Sequence, residues 1–259
     1  MSKLKVSYIQ ADLIWENPIA NIKLFTDEIE KVPEGTDLII LPEMFSTGFS
    51  MKPEKLAEKE DGPSLSWMKE MAQNRNCVVT GSLIIESENQ YFNRLFWVLP
   101  NGEYQTYDKR HLFSLANEQN FYSAGNKSLI IDLKGFKIMP LICYDLRFPV
   151  WSRNTHDYDV LIYVANWPER RSYFWKQLLI ARAIENQSYV IGVNRVGNDG
   201  NDVFHSGDSI CLDPLGQPVV QSRSGKSEVV NFTLSKDSVK RVREKFQFLN
   251  DKDDFRIIT

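Results

Sequence analysis

The sequence predicts an α/β fold in which two β-sheets are packed between layers of helices. Short, continuously apolar segments such as residues 38–41 and 160–164 are typical of strands that are covered on both faces. Residues 22–32 and 173–187 instead place apolar side chains at helical spacing, so one face of each helix is apolar. Because buried strands need cover on two sides, we expect two sheets sandwiched between helices.

The first half of the chain alternates between strand and helix signals. Residues 3–10 alternate polar and apolar side chains, as a strand does, and Asn17-Pro18 then breaks the strand pattern before the first helix. Residues 62–64 (GPS) start a second helix. Further strands are expected at residues 38–41, 77–85, 91–99 and 103–107. Between the last two of these, Asn101-Gly102 predicts a hairpin turn.

The second half of the chain is richer in strands. Strands are expected at residues 129–133, 136–142, 160–164, 189–196, 208–212, 217–221 and 227–232, with helices at 150–154, 173–187 and 237–246. No linker, internal repeat or low-complexity tract interrupts this order. The sequence therefore predicts a single domain over residues 1–259.

Composition excludes several classes of function. The chain has 259 residues, of which 42% are hydrophobic and 25% charged, and a net charge of −3 without a basic run, so we expect no nucleic-acid partner. Cys77, Cys143 and Cys211 are far apart and form no CxxC motif, which argues against disulfides and a zinc site. The N-terminus lacks the apolar core of a signal peptide, and no segment approaches about 20 apolar residues. We therefore expect a cytoplasmic protein without a membrane partner.

Three reactive side chains stand where predicted strands end. Glu43 follows residues 38–41, Lys109 follows residues 103–107, and Cys143 lies between strand 136–142 and a polar turn. A thiol there is expected to be displayed, near backbone N–H groups that lower its pKa. Because sites form at the carboxyl ends of strands in α/β sheets, the three groups predict one pocket.

Three segments resemble the signature blocks of the nitrilase superfamily, the carbon–nitrogen hydrolases. They are residues 41–45 (LPEMF), 107–113 (YDKRHLF) and 141–149 (LICYDLRFP), in the family's order Glu, Lys, Cys. Within the superfamily, residues 116–118 (ANE), 122–125 (YSAG) and 165–171 (ANWPERR) resemble the bacterial omega-amidase branch. The resemblance implies a four-layer α-β-β-α sandwich of the nitrilase type that hydrolyses linear amides without a metal or organic cofactor.

The residue types fit covalent hydrolysis of an amide. A neutral thiol attacks an amide poorly, so Cys143 needs a base, and none of the three histidines lies in a compelling context. Glu43 can serve if burial raises its pKa, and Lys109 can stabilise the oxyanion, with the backbone N–H of Tyr144 as a second donor. The resemblance adds Glu118, a second carboxylate that orients the lysine and the substrate amide. These roles predict a thioester intermediate on Cys143 that water then hydrolyses.

A short omega-amide with a carboxylate at its far end, such as 2-oxoglutaramate or 2-oxosuccinamate, is the expected substrate. Arg170 and Arg171 lie beyond strand 160–164, where a guanidinium could bind that carboxylate through two hydrogen bonds. Arg147 is a third candidate, unless it pairs with Asp145 inside its turn. The aromatic side chains expected to line the pocket are Tyr107, Phe113, Phe121 and Trp167.

Several alternatives stay open at this point. An N-carbamoyl-amine hydrolase, an aliphatic amidase or a nitrilase would differ only at the substrate end of the pocket. A papain-like hydrolase would pair Cys143 with a histidine, most plausibly His205, although its motif around the nucleophile is absent. A binding protein that has lost catalysis would have no need for Glu43, Lys109 and Cys143 together.

The predicted helix 173–187 indicates a homodimer. Its apolar side chains extend beyond a narrow stripe: Trp175, Leu178, Leu179, Ile180 and Ile184. One face can contact the helix's own sheet, and the rest is available to a second copy of the chain. The resemblance implies the same, because family members stack their sandwiches across a two-fold axis, and residues 246–251 could cross to the partner.

Overall fold

In a computed structural model, which describes residues 2–258, the chain forms two six-stranded sheets that pack face to face. Numbered in chain order, the first sheet contains β1 (Lys3–Gln10), β2 (Leu38–Ile40), β3 (Val78–Ser87), β4 (Gln90–Val98), β5 (Tyr104–Asp108) and β14 (Glu228–Ser235). The second contains β6 (Ile131–Leu133), β7 (Phe136–Ile142), β8 (Val160–Ala165), β9 (Tyr189–Asn194), β12 (Ile210–Leu212) and β13 (Pro218–Gln221). A separate hairpin joins β10 (Val196–Asn198) and β11 (Phe204–Ser206). The helices are α1 (Pro18–Ile29), α2 (Pro53–Leu56), α3 (Pro63–Arg75), α4 (Ser172–Asn186) and α5 (Lys236–Lys245).

The strand order brings several carboxyl ends to one side of the molecule. The first sheet has the order β14-β1-β2-β3-β4-β5, and the second has the order β13-β12-β9-β8-β7-β6. Strands β1, β2 and β3 are parallel to one another, as are β7, β8 and β9, and β5 runs in the same direction as β3. Glu43, Lys109 and Cys143 each follow the carboxyl end of one of these strands, as the sequence predicts.

Strand β2 of the first sheet is buried on both faces. Leu38 and Ile40 belong to the core between the two sheets, whereas Ile39 and Leu41 belong to the core beneath α1 and α3. This alternation explains why residues 38–41 are apolar throughout, since successive side chains of a strand point to opposite faces.

Helix α4 covers the outer face of the second sheet at very short range. A Cβ atom placed on Gly192 of β9 would lie 2.6 Å from Leu179 Cδ1 and 2.7 Å from Trp175 Cζ2. The missing side chain therefore lets helix and strand approach closely. With α1 and α3 on the other side, the order of layers confirms the predicted four-layer α-β-β-α sandwich.

Most of the predicted helices and strands are confirmed, and the segments that differ from prediction are short. The long helix is confirmed as α4, and the turn at Asn101-Gly102 joins the antiparallel strands β4 and β5. The helix expected at residues 150–154 is wrong: backbone hydrogen bonds there join residues two or three apart, and Asn154 is held by Tyr158 and Asn186 instead. Helix α2 and strand β11 were not expected. No helix within residues 2–258 is long and apolar enough to cross a bilayer.

Candidate active site

The carboxylate of Glu43 is fully buried near the ends of β2 and β8. Its Oε1 accepts hydrogen bonds from Asn93 Nδ2 at 2.8 Å and from Lys109 Nζ at 3.0 Å. Its Oε2 accepts the backbone N–H of Asn166, just beyond β8, at 2.8 Å. Glu43, which follows a strand of the first sheet, is therefore hydrogen-bonded to the second sheet through Asn166. This contact holds the two sheets together at the site.

Lys109 is equally buried and lies between two carboxylates. Its Nζ is 3.0 Å from Glu43 Oε1 and 3.0 Å from each carboxylate oxygen of Glu118. Burial by itself would lower the pKa of Lys109, but the charges of Glu118 and Glu43 outweigh burial and raise it above its usual range. The ammonium therefore stays protonated, and Nζ also lies 5.0 Å from the ring centre of Phe49.

Glu118 reaches Lys109 from a loop of short turns. It starts a turn of 3-10 helix, Glu118–Asn120, directly after Asn117, whose φ of 56° is left-handed. The backbone N–H of Phe113 donates a hydrogen bond to Glu118 Oε2, and this bond closes the loop. Burial raises the pKa of the Glu118 carboxyl, although the charge of Lys109 opposes this. The surroundings of Glu118 therefore disfavour the ionised form of its carboxyl group.

Cys143 lies at a strained point between β7 and a 3-10 helix, Cys143–Arg147. Its φ of 42° is left-handed, which is uncommon for a residue other than glycine. The buried carboxylate of Asp145 holds this turn by accepting the backbone N–H of Ile142 at 3.0 Å, the Tyr107 hydroxyl at 2.7 Å and the His111 backbone N–H at 2.9 Å. The hydrogen bonds to Asp145 therefore maintain the strained backbone at Cys143.

The predicted low thiol pKa is wrong. Burial raises the pKa of the Cys143 thiol well above its usual range, and the negative charge of Glu43 raises it further, while the charge of Lys109 only partly compensates. The thiol is also half-buried, not fully displayed, because it opens to the cavity on one side only. A neutral thiol has to pass its proton to a neighbouring base before it can attack.

The cavity beside the thiol has a volume of about 400 Å³. Phe113 and Trp167, two of the predicted aromatic side chains, line it, and so does Tyr144, which was predicted as an oxyanion donor through its backbone. Tyr107 and Phe121 do not lie among its lining residues. Tyr107 is buried behind the turn Cys143–Arg147, where its hydroxyl binds Asp145, and Phe121 is 41% exposed on the loop surface.

Three guanidinium groups line the same cavity: Arg147, Arg170 and Arg171. Among the described residues none of the three forms an ion pair with a carboxylate, and Arg147 does not pair with Asp145. It lies instead 5.2 Å above the ring centre of Trp167. Arg171 is half-buried and lies 5.0 Å above the ring centre of Phe113, whereas Arg170 is exposed. Burial, and then the charge of Arg170, lower the pKa of Arg171.

Sequence reasoning missed several residues of the site. Asn93 lies on β4, Asn166 just beyond β8 and Asp145 in the turn Cys143–Arg147, and each forms hydrogen bonds with a residue of another element. Asn166 and Asp145 carried a signal, since they lie within the segments 165–171 and 141–149, whereas Asn93 carried none. Across residues 2–258, no group of three or more His, Cys, Asp or Glu side chains is arranged to hold a metal ion.

Comparison with known proteins shows which family of proteins this chain resembles. The sequence model of the carbon–nitrogen hydrolase family matches residues 5–244. An omega-amidase, YafV, of Escherichia coli (strain K12) is 43% identical over 99% of this chain and 100% of its own length. A 2-oxoglutaramate amidase of Bacillus subtilis (strain 168) is 34% identical over 96% of this chain and 97% of its own.

A solved structure extends this likeness to the fold. A CN-hydrolase superfamily protein from Xanthomonas campestris, with an arsenic adduct in its active site, is 42% identical with a TM-score of 0.97. The match covers 99% of this chain and 100% of that one. The chain therefore belongs to the carbon–nitrogen hydrolase family, as its signature segments predict, and the papain-like alternative is excluded.

The electrostatics of the site predict how the thiol titrates. Replacing Glu43 with Gln should lower the pKa of Cys143, because a neutral amide removes the negative charge that opposes the thiolate. The ultraviolet absorbance of the thiolate, followed against pH with the Cys143→Ala protein as blank, measures this pKa. Glu54→Gln, which changes an exposed carboxylate, is the control. A midpoint that stays in place or rises in Glu43→Gln would contradict this account.

Proposed function

We propose that the protein is an omega-amidase that hydrolyses the terminal amide of short dicarboxylic or 2-oxo acids. The observation that carries the proposal is the division of one cavity into two chemically different parts. One part holds the Cys143 thiol beside the buried Glu43 and Lys109, and the other holds guanidinium groups that lack a carboxylate partner within the described chain. The names of the relatives at 43% and 34% identity, an omega-amidase and a 2-oxoglutaramate amidase, support 2-oxoglutaramate as a substrate, and 2-oxosuccinamate is the shorter amide of the same type.

The first half of the reaction forms a thioester. Glu43 takes the proton of the Cys143 thiol, and the thiolate attacks the amide carbonyl carbon. The carbonyl oxygen becomes an oxyanion, which Lys109 and the backbone N–H of Tyr144 stabilise. When the tetrahedral intermediate collapses, Glu43 returns the proton to the departing nitrogen, and ammonia leaves the acyl group on sulfur.

The second half releases the acid. Glu43 takes a proton from a water molecule, which attacks the thioester carbonyl, and the same cation stabilises the second oxyanion. The carbon–sulfur bond breaks, the thiol regains a proton, and the acid is released. Glu118 keeps Lys109 charged and oriented throughout, so that each turnover consumes one amide and one water and yields one acid and one ammonia.

Removing the nucleophile tests the proposed function directly. Cys143→Ala should abolish ammonia release from 2-oxoglutaramate while keeping the fold, since it deletes one half-buried sulfur atom. Ammonia release from a panel of omega-amides, carbamoyl amines, aliphatic amides and nitriles identifies the substrate class, and mass spectrometry of the wild-type protein with a slow substrate should find an acyl adduct on Cys143. Cys211→Ala, which removes a buried thiol away from the cavity, is the control. Wild-type protein that prefers a carbamoyl amine or a nitrile would overturn the proposal.

Arg171 is the arginine that we propose for the substrate carboxylate, because it is half-buried in the cavity wall and Arg170 is exposed. A charge-assisted hydrogen bond contributes about 1.5–3 kcal/mol, so Arg171→Ala should lower kcat/KM for 2-oxoglutaramate by about 10–100-fold. Arg170→Ala should have a smaller effect. An uncharged amide of similar length should respond little to either change, and equal losses on charged and uncharged amides would exclude carboxylate recognition by Arg171.

A homodimer is proposed from the outer face of α4. Trp175 and Leu179 are fully buried against the helix's own sheet, but Tyr173 is 71% exposed and Ile184 50% exposed. Light scattering should therefore report a mass of about twice the 30.0 kDa chain. Ile184→Lys should shift the protein toward monomer, whereas Ile19→Lys, on the exposed surface of α1, should not. A wild-type monomer at micromolar concentration would end this proposal.

Other expectations from the sequence stay predictions. They are the cytoplasmic location, the lack of a cofactor, and the single domain over residues 1–259, whose two terminal residues lie outside the described part of the chain. Water is the second substrate of the proposed reaction.

A further inference from the structure

Asn93 is a fully buried polar residue of β4 that binds both the base and the cation of the site. Its side-chain Nδ2 donates to Glu43 Oε1 at 2.8 Å, and its backbone carbonyl accepts the backbone N–H of Lys109 at 2.9 Å. This second bond continues the antiparallel ladder in which Arg94 of β4 pairs with Asp108 of β5. Asn93 and Lys109 are therefore direct neighbours across the ladder, and side chains so placed project from the same face of the sheet.

The side-chain amide of Asn93 has one satisfied group and one unsatisfied group. A carboxylate only accepts hydrogen bonds, so the nitrogen of the amide has to face Glu43. The amide oxygen, Oδ1, is then buried without a hydrogen-bond partner in the described structure. An unpaired buried acceptor is costly, and an apolar side chain of similar shape would avoid that cost. The sheet alone therefore does not require an asparagine here, whereas the bond to Glu43 does.

The two carboxylate oxygens of Glu43 have different partners. Oε1 accepts the Asn93 amide and the Lys109 ammonium, and these two donors occupy both of its lone pairs. Oε2 has one short bond, from the backbone N–H of Asn166 at 2.8 Å, and Asn166 Nδ2 is 3.5 Å away, at the outer limit of a hydrogen bond. The same backbone N–H lies close enough to the Cys143 thiol to favour its ionised form. Oε2 is therefore the oxygen on the side of the nucleophile, and it has room for a proton.

We propose that Asn93 is a positioning residue that keeps the Glu43 carboxylate ionised and holds its Oε2 toward the Cys143 thiol. When the thiol reacts, its S–H bond breaks, the proton forms a bond with Oε2, and the electron pair stays on sulfur for the attack on the amide carbon. Without the Asn93 donor, the carboxylate would bind a proton more readily and would no longer be held in this orientation. The inference rests on the proposed omega-amidase function.

The other ionisable groups near Glu43 do not bind the Asn93 side chain. Those whose charges act on this buried site are Lys109, Glu118, Cys143 and Tyr122. Within residues 2–258, the side chain of Asn93 forms a hydrogen bond with Glu43 and with none of these four. A change in pH dependence that follows removal of the Asn93 amide therefore originates at Glu43.

Asn93→Leu, which has a similar shape but no N–H donor, tests the assignment through the pH dependence of the reaction. The rate falls toward low pH when Glu43 binds a proton. Loss of the donor should therefore move this acid limb of kcat/KM for 2-oxoglutaramate to higher pH by about 1–2 units, the effect of one hydrogen bond to a charged group. KM at the pH optimum should change little, because Asn93 does not line the cavity. Asn93→Ala, which also lacks the donor, should shift the limb in the same direction.

Asn154 offers a matched control for the loss of a buried asparagine. It is fully buried, and its side chain binds the backbone of Tyr158 and Asn186 before the start of β8, whereas the site lies beyond the end of that strand. Asn154→Ala should lower Tm without moving the acid limb, because it leaves the donors to Glu43 in place.

Alkylation of Cys143 by iodoacetamide gives a second measurement that needs no substrate. The sulfur forms a bond to carbon, iodide leaves, and the thiol proton passes to Glu43. The acid limb of the alkylation rate should therefore shift in Asn93→Leu as it does for turnover. Mass spectrometry, with Cys143→Ala as the blank, identifies the modified residue among the three cysteines. If the wild-type protein releases no ammonia from any omega-amide, the proposed function fails, but the alkylation profile still decides the role of Asn93.

An acid limb that stays in place in folded Asn93→Leu and Asn93→Ala would overturn the assignment, and so would an equal shift in Asn154→Ala. A rise in KM without a shift of the limb would overturn it too, because it would indicate a change in the shape of the cavity. Thermal unfolding identifies which variants are folded. If neither Asn93 variant folds, Asn93 serves the fold and the assignment is rejected.

Discussion

The burial of the Lys109 ammonium between two carboxylates is the interaction on which the site depends. Removing three charged groups from water is costly, and only their mutual attraction and further hydrogen bonds offset the cost. Glu43 obtains those bonds from Asn93 and Asn166, and Glu118 obtains one from the backbone of its own loop. The cluster therefore connects the first sheet, the second sheet and the loop. The burial of the charges and the fold around them depend on each other.

The same cluster influences the protonation of the Cys143 thiol. Two carboxylates and one ammonium leave an excess of negative charge beside Cys143, and burial adds to the cost of a thiolate, so the resting thiol is neutral. A neutral thiol is protected from unselective chemistry, and it becomes nucleophilic only when a base accepts its proton. The strained backbone at Cys143, supported by Asp145, holds the residue in the cavity wall.

Charge is segregated within the cavity. One part is lined by Cys143 and by Lys109, whose ammonium binds the buried carboxylates of Glu43 and Glu118, whereas the wall carries guanidinium groups that lie over the rings of Phe113 and Trp167. Aromatic faces support these cations without neutralising them, so their charge remains available to a ligand. A substrate with an anionic end and an amide end therefore has one favourable orientation, with its amide toward Cys143.

The sequence by itself determined the elements of the fold and the three reactive groups. Apolar strands followed by single polar residues predict that Glu43, Lys109 and Cys143 share one edge, because parallel strands end together. Only the tertiary structure decided the protonation state of the thiol, since it depends on burial and on charges contributed by residues distant in the chain. The same holds for Asn93: a residue in the middle of a strand carries no local signal of the carboxylate that it binds from a distant part of the chain.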